Sequence, residues 1–322
     1  MCTGSLVARI LFQPVEEISR VYFSKTLSVC TVEQDEAAVK SLSKSRAARP
    51  LTKSEDPPPA KPLTTIQQIA LRQASTTLNT LLLLQSHLLL ILLTFLPPYL
   101  PTLLSHFLPK KYLVTSAPSI LHAYAYYLPM MSLNGLLEAF AFSVMSPSDV
   151  KTQTRWLFAT SICFGISVYI LSDRLRLGEV GLVYANIASL GMRAVWAALF
   201  SDRWFKRMWA RGVVDEHDAL EKDKHESLSS TSSQGISPRE ILPPLSVLIL
   251  FAVSSQIVRY SQAWFLLGDQ NLLQQSPDRT LLIAQAQHVA VGGFFVLLCL
   301  GECYRSQRAH IQTLIFLVRS RS

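Results

Sequence analysis

Long apolar runs alternate with charged, proline-rich or serine-rich stretches along the whole of this 322-residue chain. The clearest run is LLLLQSHLLLILLTFLPP, residues 81–98, which carries no ionised acid or base apart from what His87 can hold. A run of about 20 apolar residues matches the hydrocarbon core of a bilayer when coiled as a helix. Six stretches meet that description, at 74–97, 117–145, 155–173, 177–200, 241–264 and 280–300, and a partial one occupies 4–27. The pattern predicts an all-α, polytopic transmembrane helix bundle with about six complete spans and a partial first helix. The run at 117–145 contains Pro129, a break that bilayer helices tolerate when neighbouring groups satisfy the freed backbone.

Between the runs lie segments that cannot be buried. Residues 31–63 include AARPLTKSEDPPPAKP, and residues 211–240 include DEHDALEKDKHESLSSTSSQG. Both are expected to be disordered, because neither holds enough apolar surface to offset its ordering entropy. The predicted organisation is therefore a partial, broken span over 1–30 and a linker over 31–63. The first four complete spans follow over 64–210, a loop over 211–240, the last two spans over 241–304, and a tail over 305–322. The tail, RSQRAHIQTLIFLVRSRS, is too short to span, and arginines flank its apolar centre. It reads either as a basic amphipathic helix lying in the membrane interface or as a frayed terminus.

Composition agrees with this reading. Only 16% of residues are charged, against roughly 25% in soluble domains. If the seven segments alternate in direction, 22 lysines and arginines fall on one side and 5 on the other, with Arg9, Arg193 and Arg259 inside segments. Lysine and arginine collect on the cytoplasmic side of membrane proteins. The long loops and the C-terminus are thus expected in the cytoplasm, and the net charge of +8 is loop charge facing anionic lipid. Basic residues are not interleaved with aromatics on any one element, which argues against a nucleic-acid partner. The five cysteines show no CxxC spacing, so no metal site, disulfide framework or cofactor is expected. Residues 1–12 lack the layout of a signal peptide. The chain opens part-way into a helix, which points to a truncated sequence.

Charges and amides inside spans are costly and normally face a bundle interior or water. Positions three, four and seven apart share a helix face. Arg9, Gln13, Glu16 and Arg20 form one such stripe; Asn134 and Glu138 form another, and Asn186, Ser189 and Arg193 a third. Gln256 pairs with Arg259 and Gln285 with His288 in the same way. Helices that each carry one polar stripe can wall a hydrated cavity together. The candidate substrate-binding residues are Arg9, Glu16, Asn134, Glu138, Asn186 and Arg193. Arg259 and Arg193 can instead snorkel to the head groups, and the amides and His288 can serve as interhelical hydrogen-bonding groups. Glu138 has no opposite charge within a turn. It either pairs with an arginine on another helix or takes a direct part in transport. No HExxH, GxSxG or phosphate-cradling glycine loop is present, and the chain is not expected to be an enzyme.

Three stretches resemble a known family. GSLVARILFQPVEEISR, residues 4–20, is similar to a motif of the Rft-type oligosaccharide translocation proteins through Gly4, Ser5, Arg9, Phe12, Pro14, Glu16 and Glu17. LNGLLEAFAFSVMSPSDV resembles a second motif through Asn134, Gly135, Glu138, Phe140 and Ser146. GEVGLVYANIASLGMRAVWAALF resembles a third through Gly178, Gly181, Asn186, Met192 and Arg193. The resemblance implies membership of the multidrug/oligosaccharidyl-lipid/polysaccharide exporter superfamily, whose members place two helical lobes around a central cavity. Family members have about twice as many spans, so this chain resembles the C-terminal lobe only, with the N-terminal lobe missing. By the same resemblance, it would be a multi-pass protein of the endoplasmic reticulum membrane that moves a mannose-rich dolichyl-diphosphate oligosaccharide for N-glycosylation. The alternative is a non-transporting membrane scaffold that supports assembly of the glycan precursor. A membrane-embedded glycosyl- or acyltransferase is disfavoured, because no loop offers an acidic or histidine-based catalytic group in a defined setting. For transport, guanidinium forks suit a diphosphate, Asn and Glu suit sugar hydroxyls, and Pro14 and Pro129 let helices bend.

Overall fold

A computed structural model describes residues 12–47, 63–219, 241–267 and 277–319. All regular structure among them is helical: α1 (Gln13–Ala47), α2 (Thr65–Phe107), the single turn α3 (Lys110–Leu113), α4 (Ala117–Val144), α5 (Pro147–Val168), α6 (Gly178–Ala219), α7 (Leu245–Gln262) and α8 (Pro277–Arg319). Short π-helical turns extend α5 over Tyr169–Arg174 and α7 over Ala263–Leu267. Five helical stretches among the described residues are long and apolar enough to cross a membrane: Thr65–Phe107, Pro147–Arg174, Gly178–Ala210, Leu245–Phe265 and Leu282–Arg308. The expected span at 117–145 is the helix α4, but it falls outside these five. Its tyrosines at 124, 126 and 127, together with Ser132, Asn134 and Glu138, dilute the apolar run.

The helices overrun several boundaries expected from the apolar runs. α1 continues to Ala47, through residues 31–47 of the expected linker. The stretch VEQDEAAVKSLSKSRA consists mostly of good helix formers and meets no proline before Pro50. In the same way α6 continues to Ala219, and α8 carries the tail to Arg319 as one helix with the last span. Pro14 stands in the first described turn of α1, where its missing N–H costs little. Pro129 is fully buried inside α4 without ending it.

The described residues fall into two compact units. One draws on the described residues of 12–81, 133–163 and 189–219. Its core is aromatic. Phe140 of α4 meets the edge of Phe23 of α1 at 5.1 Å and stacks on Phe205 of α6 at 5.0 Å. Ser19, Phe23, Leu27 and Cys30 form the buried face of α1, at the three- and four-residue spacing of a helix. Tyr22 shares a 3.1 Å hydrogen bond with Thr77 of α2, and Gln67 Nε2 donates to the Val29 carbonyl at 3.1 Å.

The other unit draws on the described residues of 82–132, 164–188 and 241–319. Phe95, Val247, Phe251, Val258 and Cys299 from α2, α7 and α8 make its core. Tyr99 stacks on His288 at 4.3 Å and donates to the His288 carbonyl at 2.8 Å. A Cβ on Gly292 would overlap that tyrosine ring, so only glycine admits the contact. The chain reverses between the π turn and α6 through left-handed φ values of 54° at both Arg176 and Gly178. A Cβ on Gly181 would lie 2.7 Å from the Ser172 backbone nitrogen, which explains the second glycine of the Gly-x-x-Gly spacing. Ser116, before α4, donates to Glu179 Oε2 at 2.5 Å and ties the start of α4 to the start of α6.

Candidate functional site

Glu138 and Arg193 meet in the first unit. Arg193 Nε donates to Glu138 Oε1 at 2.9 Å and Arg193 Nη2 to Glu138 Oε2 at 2.7 Å. Two parallel bonds between a planar fork and a carboxylate are the strongest form of such a pair. Glu138 is buried, whereas the Arg193 side chain is 35% exposed. Nη1 makes no hydrogen bond among the described residues, so the guanidinium presents a second donor edge.

A third charge adjoins the pair. The Glu16 carboxylate lies over the backbone of Gly135, where a Cβ would come within 2.8 Å of Oε2. It sits in the electrostatic field of Glu138, Arg20 and Arg193. The Asn-Gly of the second motif thereby acquires a physical role, since glycine lets the first helix bring its carboxylate against α4. Asn134, one turn before Glu138, is buried, and its Oδ1 has no hydrogen-bond partner among the described residues. The cluster thus offers two carboxylates, one forked cation with a free edge, and one unspent amide acceptor. Such a set can bind a polar ligand by donating to phosphate oxygens and accepting from hydroxyls.

The other expected residues divide. Arg9 lies outside the described residues. Gln13 and Arg20 are exposed: Gln13 donates to Glu17 at 3.0 Å, and the Arg20 guanidinium stands 5.0 Å over the Phe142 ring. Of the described part of the α1 stripe, only Glu16 turns inward. Asn186 belongs to the second unit, half-buried and two turns before Arg193 on the same helix, with no hydrogen bond among the described residues. Gln256 and Arg259 do not line an interior of the second unit. α7 buries Val247, Phe251, Ser254, Val258 and Ser261, and that face turns the two polar residues outward. His288 is fully buried, and its Nδ1 bonds Ser261 Oγ at 2.6 Å. Tyr99, which completes that contact, was not signalled by any spacing in the sequence. Among the described residues no three His, Cys, Asp or Glu side chains group as a metal site would require.

Comparison with known proteins adds a family. The family model described as Rft protein matches residues 2–316. A relative from Yarrowia lipolytica is 36% identical over 102 residues, which is 32% of this chain and 15% of the relative. One from Xenopus tropicalis is 24% identical over 193 residues, 60% of this chain and 29% of the relative. One from Candida albicans is 30% identical over 191 residues, 59% and 30% of the two chains. Each carries the name Man(5)GlcNAc(2)-PP-dolichol translocation protein RFT1. These matches span less than a third of the relatives' length. No solved structure matches the chain. A match that runs almost from end to end, on a helical chain with membrane-spanning segments, makes the chain a member of the Rft protein family.

Proposed function

We propose that this chain takes part in moving a mannose-rich dolichyl-diphosphate oligosaccharide across the endoplasmic reticulum membrane for N-glycosylation, as one helical lobe of a two-lobe translocator. The observation that carries the reading is the Glu138–Arg193 pair with its free guanidinium edge, in a chain whose relatives bear the name of that translocation. Glu138 orients the guanidinium. Nη1 then addresses a diphosphate oxygen, while Asn134 Oδ1 and the Glu16 carboxylate accept from sugar hydroxyls. Arg9, which lies outside the described residues, and Asn186 are kept as further substrate contacts on the strength of their sequence motifs alone. The long loops and the C-terminus face the cytosol; of the expected linkers at 31–63 and 211–240, residues 48–62 and 220–240 lie outside the described residues.

The test uses a full-length relative carrying substitutions at the matching positions. Arg193→Lys keeps the charge but loses the fork, and Arg193→Ala loses both. Both are expected to lower N-glycan occupancy of a secreted reporter at unchanged protein level, the alanine variant more. Full occupancy in both variants overturns the site assignment.

A second reading is favoured by the same geometry. Arg193 is already satisfied on one edge by Glu138, as in a bridge whose work is to hold α6 to α4. A non-transporting scaffold for precursor assembly would need only that. Reconstituted vesicles with labelled lipid-linked oligosaccharide separate the readings: a translocator speeds access of the label to the inner leaflet, and a scaffold leaves the rate unchanged.

A further inference from the structure

A cavity of about 500 Å³ lies in the first unit, lined by α6 and the start of α5. Its apolar wall is Trp196, Leu199 and Phe200, with the Trp196 and Phe200 rings stacked at 5.3 Å. One turn further along α6 come Arg203, Lys206 and Arg207, all exposed. The sequence changes from apolar to cationic at the end of a membrane-spanning stretch, where acyl chains give way to head groups.

The charges in and around the cavity do not cancel. Lys206 is bridged to Asp202 at 2.7 Å. Asp149 also lines the cavity, but its Oδ2 accepts from Ser146 Oγ at 2.7 Å and from the Ser146 backbone N–H at 3.2 Å, so it is spent on capping α5. Arg203 and Arg207 have no carboxylate partner among the described residues; Arg207 Nε donates only to the Arg203 carbonyl, at 3.4 Å. Two free guanidinium groups thus overhang an aromatic slot. Guanidinium forks match phosphate oxygens, and the slot accepts hydrocarbon. A soluble anion would use the cations and leave the aromatic wall idle; a neutral lipid would do the reverse. We propose that this cavity is a binding site for an anionic phospholipid, with the phosphate on Arg203 and Arg207 and the first acyl methylenes against Trp196 and Phe200.

The test is tryptophan quenching in the purified full chain, reconstituted in phosphatidylcholine vesicles, with brominated phosphatidylserine or brominated phosphatidylcholine as quencher at equal mole fraction. Trp196 should be quenched at least twofold more by the anionic lipid, and Trp196→Phe should remove that head-group preference. Arg203→Gln with Arg207→Gln should abolish the preference and leave quenching by phosphatidylcholine unchanged, which also reports that the double variant is folded. Equal quenching by the two lipids overturns the proposal, as does a preference that survives the double substitution. Inorganic pyrophosphate at millimolar concentration is expected to leave the preference intact. Its full loss would assign the cations to a soluble anion and overturn the lipid.

Discussion

At the scale of single residues, the Glu138–Arg193 pair invites a double-mutant cycle. Removing one partner of a fully buried ion pair costs roughly 3–5 kcal/mol, chiefly because the other charge is left behind. Arg193 is about one-third exposed, so Glu138→Gln alone should cost less, about 2 kcal/mol. Glu138→Gln combined with Arg193→Gln should recover part of that loss. Thermal melting of the detergent-solubilised chain measures all three variants, and strict additivity would show that the two groups do not act as a pair. An arginine partner on another helix was one of two readings the sequence left open for Glu138, since no opposite charge lies within a turn of it. Which arginine would serve was not legible, because hydropathy fixes where a helix lies along the chain and not which faces meet. Glu16 shows the same limit. Its stripe with Gln13 and Arg20 was correctly periodic, yet only Glu16 turns inward, because Ser19, Phe23 and Leu27 set the buried face.

At the scale of elements, glycine decides how closely helices approach. In the second unit α8 comes against α2 at Gly292, where the Tyr99 ring occupies the space of a Cβ. Gly292→Ala should therefore force the ring off His288 and break its bond to the His288 carbonyl. Overpacking of this kind costs about 1–3 kcal/mol. Tyr99→Leu should relieve most of the added cost when combined with Gly292→Ala, although it forfeits the hydrogen bond itself. A melting series on the four chains tests this, and an unrelieved double variant would place the strain elsewhere. Helix positions were read well from hydropathy, and their ends were not. α1, α6 and α8 all run past the apolar stretch that announced them. An apolar run marks the part of a helix that lipid or core requires; Glu, Lys, Ala and Gln carry the same backbone pattern onward without being apolar. The two π turns had no sequence signal that periodicity could register.

For the whole molecule, the strongest prediction concerns orientation. With 22 cationic side chains assigned to one side and 5 to the other, the C-terminus and the loop around 220–240 should be cut by protease added to sealed microsomes. The turn around Lys110–Leu113 should be protected until detergent is added. Protection of the C-terminus would reverse the assignment. The order in which the helices leave the ribosome adds a constraint of its own. Glu138 reaches the membrane 55 residues before Arg193, with all of α5 between them. A lone charged side chain disfavours insertion by at most roughly 3 kcal/mol, the value at the centre of a span. Glu138 lies in the last third of α4, but α4 is not among the described helices apolar enough to cross a membrane, so it has reason to linger beside the insertion machinery until α6 emerges. The ion pair would then act as a latch during biogenesis, closing only when three consecutive helices have arrived together. A ribosome stalled before α6 should leave α4 extractable by alkali, and release of the stall should lock it in place.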